Sequence, residues 1–431
     1  MPFSKLVKHP LGRSYKFALM KKILLLVIGF TTYSVTISQF RTKAQQQIFT
    51  NEDSLNAGVS ANKTVISGYG SAAYQRNLNL KQSRATLERV VLFVGHQFNK
   101  KISFFSELEI ENAKVEGGDA NGAEIAMEQA FLKFNFNAKR YIIAGLFIPR
   151  ICILNENHLP VNFNGVERPI VEQLIIPATW RELGVGFYGS ANRFPLNYSF
   201  AIMNGLNSEG FEHDNGIRGG RAEGSNALAN NIAVNAALQY SYKNFKVQVS
   251  GYAGGTVGLS KLNADSLGLD SGAFGTPVYL GEADVQYANG GFSFKALGAY
   301  ISYPGAGDIN EAYLKNIATG MYGAYAELGY DWLYKKNETS QQLITFVRTE
   351  FLDLNSKIAA PPKAIYDGTQ KQSHLITGFS YLPIPNVVVK ADVRILHTGK
   401  QNPDLVINPP PNSLTYKQNN QFLNIGIGYS F

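Results

Sequence analysis

IAVNAALQYSYKNFKVQVS, residues 232–250, carries the pattern that decides the fold. Ile232, Val234, Ala236, Leu238 and Tyr240 alternate with Ala233, Asn235, Ala237 and Gln239. After a two-residue turn at Lys243 and Asn244, Phe245, Val247 and Val249 alternate with Lys246, Gln248 and Ser250. Successive side chains of an extended chain point to opposite faces, so this is a β-hairpin with one oily face and one polar or small face. The same rhythm recurs outward from it. Tyr279, Ala283, Val285 and Tyr287 stand against Glu282, Asp284 and Gln286, and after Asn289 and Gly290 the chain returns as Phe292, Phe294, Ala296 and Tyr300 against Ser293 and Lys295. Val387, Val389, Ala391, Val393 and Ile395 stand against Lys390, Asp392 and Arg394.

Between residues 64 and 431 the alternation divides into about sixteen segments of about ten residues, the length a tilted membrane-crossing strand needs. A soluble sandwich could alternate in the same way, so the connections discriminate. They are short at 99–101, 137–139, 242–244, 288–291 and 382–386, with 332–341 the longest of that set. They are long and rich in Gly, Asn, Asp and Pro at 207–230, 254–276, 303–318, 354–372 and 397–418. Short turns on one rim and long loops on the other are the plan of an outer-membrane barrel. Tyr240, Phe245, Tyr287, Phe292, Tyr330, Tyr381, Tyr429 and Phe431 fall at one height beside the short turns, as an interfacial girdle does. The chain ends in Leu423, Ile425, Ile427, Tyr429 and Phe431, a strand that must pair with the first to abolish the sheet edge. The expectation is an all-β transmembrane antiparallel barrel, with both termini on the short-turn side.

Lys21 and Lys22 precede an apolar run from Ile23 to Phe30, too short to span a bilayer, so residues 1–44 read as a signal-peptide region. Cleavage is placed after Ser38 or Ala44, and Met20 is an alternative start. Residues 45–63 are then a short periplasmic segment and 64–431 the barrel. The formal charge of +8 lies in the leader: eight Lys and Arg and no acid occur up to Ala44, leaving 32 basic against 32 acidic groups. A mature chain without surplus cations gives no reason to expect a nucleic-acid partner. A lone Cys152 excludes an intrachain disulfide scaffold.

Three motifs have competing readings. Gly184 to Gly189, GVGFYG, matches the dinucleotide fingerprint by letter, but Ser190 to Pro195 leads into another strand where the fingerprint needs a helix. His96, His158, His213, His374 and His397 are candidates for a barrel-embedded hydrolase, yet none stands in a motif with a serine nucleophile. Glu107, Glu109 and Glu111 form an acidic stripe that could take a cation, or else a solvated wall balanced by Lys133, Lys246, Lys295, Arg348, Lys390 and Arg394. No catalytic residue, cofactor or metal is expected.

The connection from Pro149 to Thr179 differs from the other long ones: it is poor in glycine and carries Ile151, Ile153, Leu154, Val161, Phe163, Ile170, Leu174, Ile175 and Ile176. Such residues need a wall to pack on. The loop is expected to fold into the lumen, with Arg150, Glu156, His158, Glu167, Arg168 and Glu172 constricting the pore against wall residues Glu107, Glu109, Glu111, Lys133, Arg348, Lys390 and Arg394.

The block from Glu128 to Gly189 resembles the phosphate-selective porin O and P family, in particular its Bacteroidetes-type representatives. The residues that carry the likeness are Glu128 to Phe131, Ala144 to Pro149, Asn155 to Pro160, Arg168-Pro169, Pro177 to Glu182 and Gly184 to Gly186. The resemblance implies a homotrimer of sixteen-stranded barrels in outer-membrane lipid, each with an inward third loop, passing small hydrophilic solutes or inorganic anions such as phosphate. The basic ladder that would mark phosphate selectivity is not legible here, which favours general diffusion. Secreted β-sandwich adhesin is the reading from another class.

Overall fold

A strand with two distinct faces needs a neighbour on each side, and only closure of the sheet gives every strand two. The computed structural model describes residues 39–49, 63–112, 124–334, 340–405 and 416–431, and in it the sheet closes. Residues 1–38 and 50–62 lie outside the described residues, and with them most of the expected leader and periplasmic segment.

The sixteen strands are β1 (Lys63–Asn77), β2 (Gln82–Gln97), β3 (Ile102–Glu111), β4 (Glu124–Asn137), β5 (Arg140–Phe147), β6 (Glu182–Ser190), β7 (Leu196–Asn204) and β8 (Ile232–Tyr242). They continue as β9 (Phe245–Gly254), β10 (Val278–Asn289), β11 (Phe292–Ser302), β12 (Gly320–Asp331), β13 (Gln342–Lys357), β14 (Lys371–Ile384), β15 (Val387–Thr398) and β16 (Asn419–Ser430). Each pairs antiparallel with its sequence neighbours, and β1 pairs β16 from Tyr69 opposite Ser430 to Asn77 opposite Phe422. Phe431 completes the seam: its N–H donates to the Gly68 carbonyl at 2.9 Å and its own carbonyl accepts from Gly68 at 3.0 Å.

The two faces sort as the hairpin at 232–250 requires. Val249 is 47% exposed on the outside, while Gln248 is 2% exposed and faces inward. Aromatic contacts run along the short-turn rim, with Phe245 and Tyr287 rings 4.5 Å apart and Tyr330 and Trp332 rings 5.1 Å apart. The β10–β11 turn places Gly290 and Gly291 at φ 63° and 87°, the left-handed pair that suits the twist of a tight hairpin.

One connection departs from the sequence expectation. β1 and β2 extend toward each other until only residues 78–81 join them, because the Asn77 side chain accepts from the Asn79 and Leu80 N–H groups and closes the turn locally.

Inside the barrel lie two further pieces. Helix α1 (Lys43–Phe49) rests on β1, β2 and β3, with Ala44 and Ile48 buried. The chain between β5 and β6, the third loop, turns into the lumen and includes α2 (Ile170–Leu174) against β12 and β13. Its apolar residues are covered: Ile151, Val171, Ile175 and Ile176 are 0% exposed. Gly323 on β12 makes room for them, since a side chain there would run into Ile175 and Val171.

Candidate functional site

A loop inside a barrel has lost water on both sides, so its backbone groups need partners from the wall. The wall supplies them as side chains. Asn235 donates to the Arg150 carbonyl at 3.3 Å, Gln248 to Cys152 at 3.2 Å and Lys295 to Asn162 at 3.0 Å. Lys390 donates to Phe163 at 2.8 Å and Arg348 to Asn164 at 3.0 Å. In return, the Val166 N–H donates to Asp392 at 2.7 Å and the Val171 N–H to Glu350 at 3.0 Å. Several of the loop–wall contacts are therefore charge-assisted.

Most of the loop side chains expected to constrict the pore serve as anchors. Arg150 is 2% exposed and pairs with Glu156 of its own loop at 2.8 Å. Glu172 is 0% exposed and accepts from Tyr325 Oη at 2.6 Å and from the Leu154 N–H at 2.8 Å. His158 is buried beside Glu107 and Glu128. Burial opposes its charge, but hydrogen bonds to those two carboxylates and their charges outweigh burial and raise the imidazole pKa. Glu167 lines an open space, and it pairs there with Arg394 at 2.8 Å. Arg168 lies nearby with no hydrogen bond or ion pair to its guanidinium among the described residues; burial, then the Arg89 charge, lowers its pKa.

The wall residues divide likewise. Arg348 is 1% exposed between Glu350 at 2.8 Å and Glu327 at 3.1 Å. Lys133 donates to the Ile48 carbonyl of α1 and lies 4.0 Å over the Tyr141 ring, and Lys390 lies 3.7 Å over the Phe163 ring. Glu109 pairs with Arg89 at 3.0 Å, and Glu111 meets the same guanidinium at 3.4 Å. Two features were missed by sequence reasoning. Glu327, Glu350 and Asp392 sit on the polar face like many others, and nothing local marks them. Glu128 does leave a trace: Ile125 and Met127 point outward but so does Leu132, and this slip of phase is a β-bulge where Glu107 opposes Gln129 and Leu108 opposes Met127. Glu128 and Gln129 thereby both turn inward.

A crevice of about 290 Å³ lies open between the third loop and the β1–β3 wall, lined by Gln75, Arg84, Glu88, Arg89, Glu111, Glu167 and Arg218. Residues 39–49 fill the lumen below it. Ala44 N–H donates to Ser67 at 3.2 Å, Phe40 N–H to the Asn162 side chain at 2.8 Å, and Asn157 to the Phe40 carbonyl at 2.9 Å.

The histidines show no hydrolytic geometry. His213 spends Nδ1 on the Asn316 carbonyl at 2.6 Å and Nε2 on Asp367 at 2.9 Å, tying three outer loops together. Among the described residues no serine hydroxyl is hydrogen-bonded to a histidine ring.

No family model matches the chain. An uncharacterized protein of Aquifex aeolicus (strain VF5) is 30% identical over 356 residues, covering 79% of this chain and 77% of that protein. Among solved structures, Salmonella typhi OmpF in complex with daunomycin aligns over 86% of this chain and 98% of its own, with a TM-score of 0.53 at 12% identity. The anion-selective porin from Comamonas acidovorans aligns over 86% and 100%, with a TM-score of 0.50 at 10% identity. A loop-deletion mutant of OmpT, an outer membrane protein of Vibrio cholerae, gives 0.50 at 10% identity over the same shares. At these identities the likeness to solved structures is one of fold.

Proposed function

The chain belongs to one family with the Aquifex aeolicus protein, and on the barrel it builds we propose that it is a passive outer-membrane pore for small hydrophilic solutes and ions. In this reading it is exported through a cleaved signal peptide and assembled as a homotrimer. The observation that carries the reading is the charged crevice between the third loop and the wall, a polar space of a size for small solutes. An outer face of exposed Val, Leu and Ile around a polar interior supports the membrane setting.

The finer reading concerns charge. Arg84, Arg89 and Arg218 face Glu88, Glu111 and Glu167 across the crevice, so fields of both signs act on a passing ion and selectivity is weak. Inorganic anions, phosphate among them, pass in this reading without a dedicated ladder of cations. A hydrolytic role is set aside because His213 spends both ring nitrogens on the Asn316 carbonyl and Asp367, and His158 meets two glutamates with no serine hydroxyl on its ring.

Single-channel recording in planar bilayers tests this. The protein is expected to give small ohmic conductance with a weakly selective reversal potential in salt gradients. Excising Asn155 to Glu172 should raise that conductance with trimers retained. Absence of channel events would overturn the pore, and current that saturates at low phosphate would replace general diffusion with a specific site.

A further inference from the structure

His158 reaches from the third loop to two strands of the wall, and the three groups that meet there are each held from behind. His158 Nδ1 is 3.2 Å from the Asn155 carbonyl, an acceptor, so Nδ1 carries the proton. Glu107 Oε2 accepts from Gln129 Nε2 at 2.7 Å, and Glu128 Oε1 accepts from Thr179 Oγ1 at 2.6 Å. These contacts leave His158 Nε2, Glu107 Oε1 and Glu128 Oε2 turned toward one another, at 3.3 Å and 3.4 Å from the nitrogen. All three side chains are between 0% and 3% exposed.

In a neutral imidazole with its proton on Nδ1, Nε2 is a lone pair, and it faces two carboxylate oxygens. Three acceptors buried together take either a second proton on Nε2, making the imidazolium, or a metal ion among them. Bonds of about 2.0–2.2 Å to a tetrahedral ion place its ligands about 3.4 Å apart, which matches the two nitrogen–oxygen distances in a cluster whose ligand atoms all lie within 4.8 Å of one another. Fixing a histidine through its second nitrogen and carboxylates through their second oxygens is how protein metal sites are oriented.

Two unpartnered buried oxygens lie in this neighbourhood. Glu128 Oε2 is buried without a hydrogen-bond donor. Tyr69, on β1, is 0% exposed with its hydroxyl unpartnered, and its ring lies 5.8 Å from that of His158. Of the nearby cations, Arg89 pairs with Glu109 and Glu111, Arg181 pairs with Glu223 at 2.7 Å and lies 3.7 Å from Glu128, and Arg168 lies near Tyr69, Glu128 and Glu109 without an ion pair to any of them.

We propose that Glu107, Glu128 and His158 form a binding site for a divalent transition-metal ion of the zinc class, which staples the third loop to β3 and β4. A water completes the coordination, with the Tyr69 ring packed beside His158. This site is independent of what the pore conducts.

The test uses the detergent-purified full-length protein, stripped with chelator and titrated with zinc and, separately, cobalt(II). One ion per chain is expected, with the intense visible absorption of four-coordinate cobalt. His158→Gln and Glu128→Gln should each weaken binding on the order of 100-fold or more. Glu111→Gln, outside the cluster, should bind as the parent does. Heat-modifiable migration on gels reports whether each variant has folded, and Glu107→Gln replaces one that has not. No stoichiometric uptake of either ion, or uptake that survives the substitutions in folded protein, overturns the site and leaves a proton as the shared cation.

Discussion

Where the third loop lies against β12 to β15, each oxygen of the buried carboxylates Glu327, Glu350 and Asp392 accepts from a donor; where it lies against β3 and β4, Glu128 Oε2 meets only a histidine. On the first side Arg348 stands between Glu327 and Glu350, Asp392 accepts from Val166 and Asn424, and Lys390 donates to a loop carbonyl. On the second, Glu107, Glu109 and Glu128 share Arg89, Arg181 at 3.7 Å from Glu128 and one histidine, with the Arg168 guanidinium nearby. The first side is complete as protein alone. The second is complete only with an added proton or metal ion, because a buried carboxylate with no donor retains its full desolvation cost. One loop is thus held at a fixed anchor and at a conditional one.

Arg348→Ala should break the balanced side most severely. It leaves Glu327 and Glu350 buried without their cation, at a cost of about 3–5 kcal/mol, read as a lower denaturant midpoint for the folded barrel. A loss within the range of surface pairs, about 1 kcal/mol or less, would show that the two sides do not differ in kind.

Tyr325→Phe sharpens the same side by a smaller step. It removes the hydroxyl that donates to Glu172 at 2.6 Å while keeping the ring, and should cost roughly 1.5–3 kcal/mol by the same measurement.

Arg394→Ala takes away a half-wet pair with Glu167, whose side chains are 11% and 22% exposed. About 0.2–1 kcal/mol of stability should be lost, less in high salt, and the reversal potential should move toward cations because Glu167 keeps only Arg84, at 3.9 Å, as a cationic partner in the crevice. An unmoved reversal potential would remove Glu167 from the ion path.

Glu128→Gln, in metal-free protein, should change stability least. It lifts a like-charge contact with Glu107 and keeps an amide oxygen for Thr179, so no loss and a small gain are expected. A large loss would mean that the acidic side is as well paired as the other.

The strands were legible because their signal is local. Val247 and Gln248 are assigned to opposite faces by one bond of chain, and the Lys243-Asn244 turn by its own residues. Apolar content likewise brought the third loop inward, since Ile151 and Ile175 needed cover. The roles of its charged residues were not legible. Glu172 reads as a pore-facing acid until Tyr325, 153 residues on, is seen to hold it under the loop. His158 was one histidine of five candidates, and only the bulge at Glu128 gave a local hint of what it meets.

The sequence by itself determined that this chain is a closed sixteen-stranded sheet with a lipid-compatible outside, a polar inside and one apolar loop too oily to stay in water. Only the tertiary structure decided which inward charges neutralise one another, that residues 39–49 share the lumen with the loop, and that Glu107, Glu128 and His158 converge. The reason is geometric: alternation and turns depend on neighbours in the chain, whereas a contact across a barrel depends on strand stagger and on the path of a loop, which no local pattern encodes.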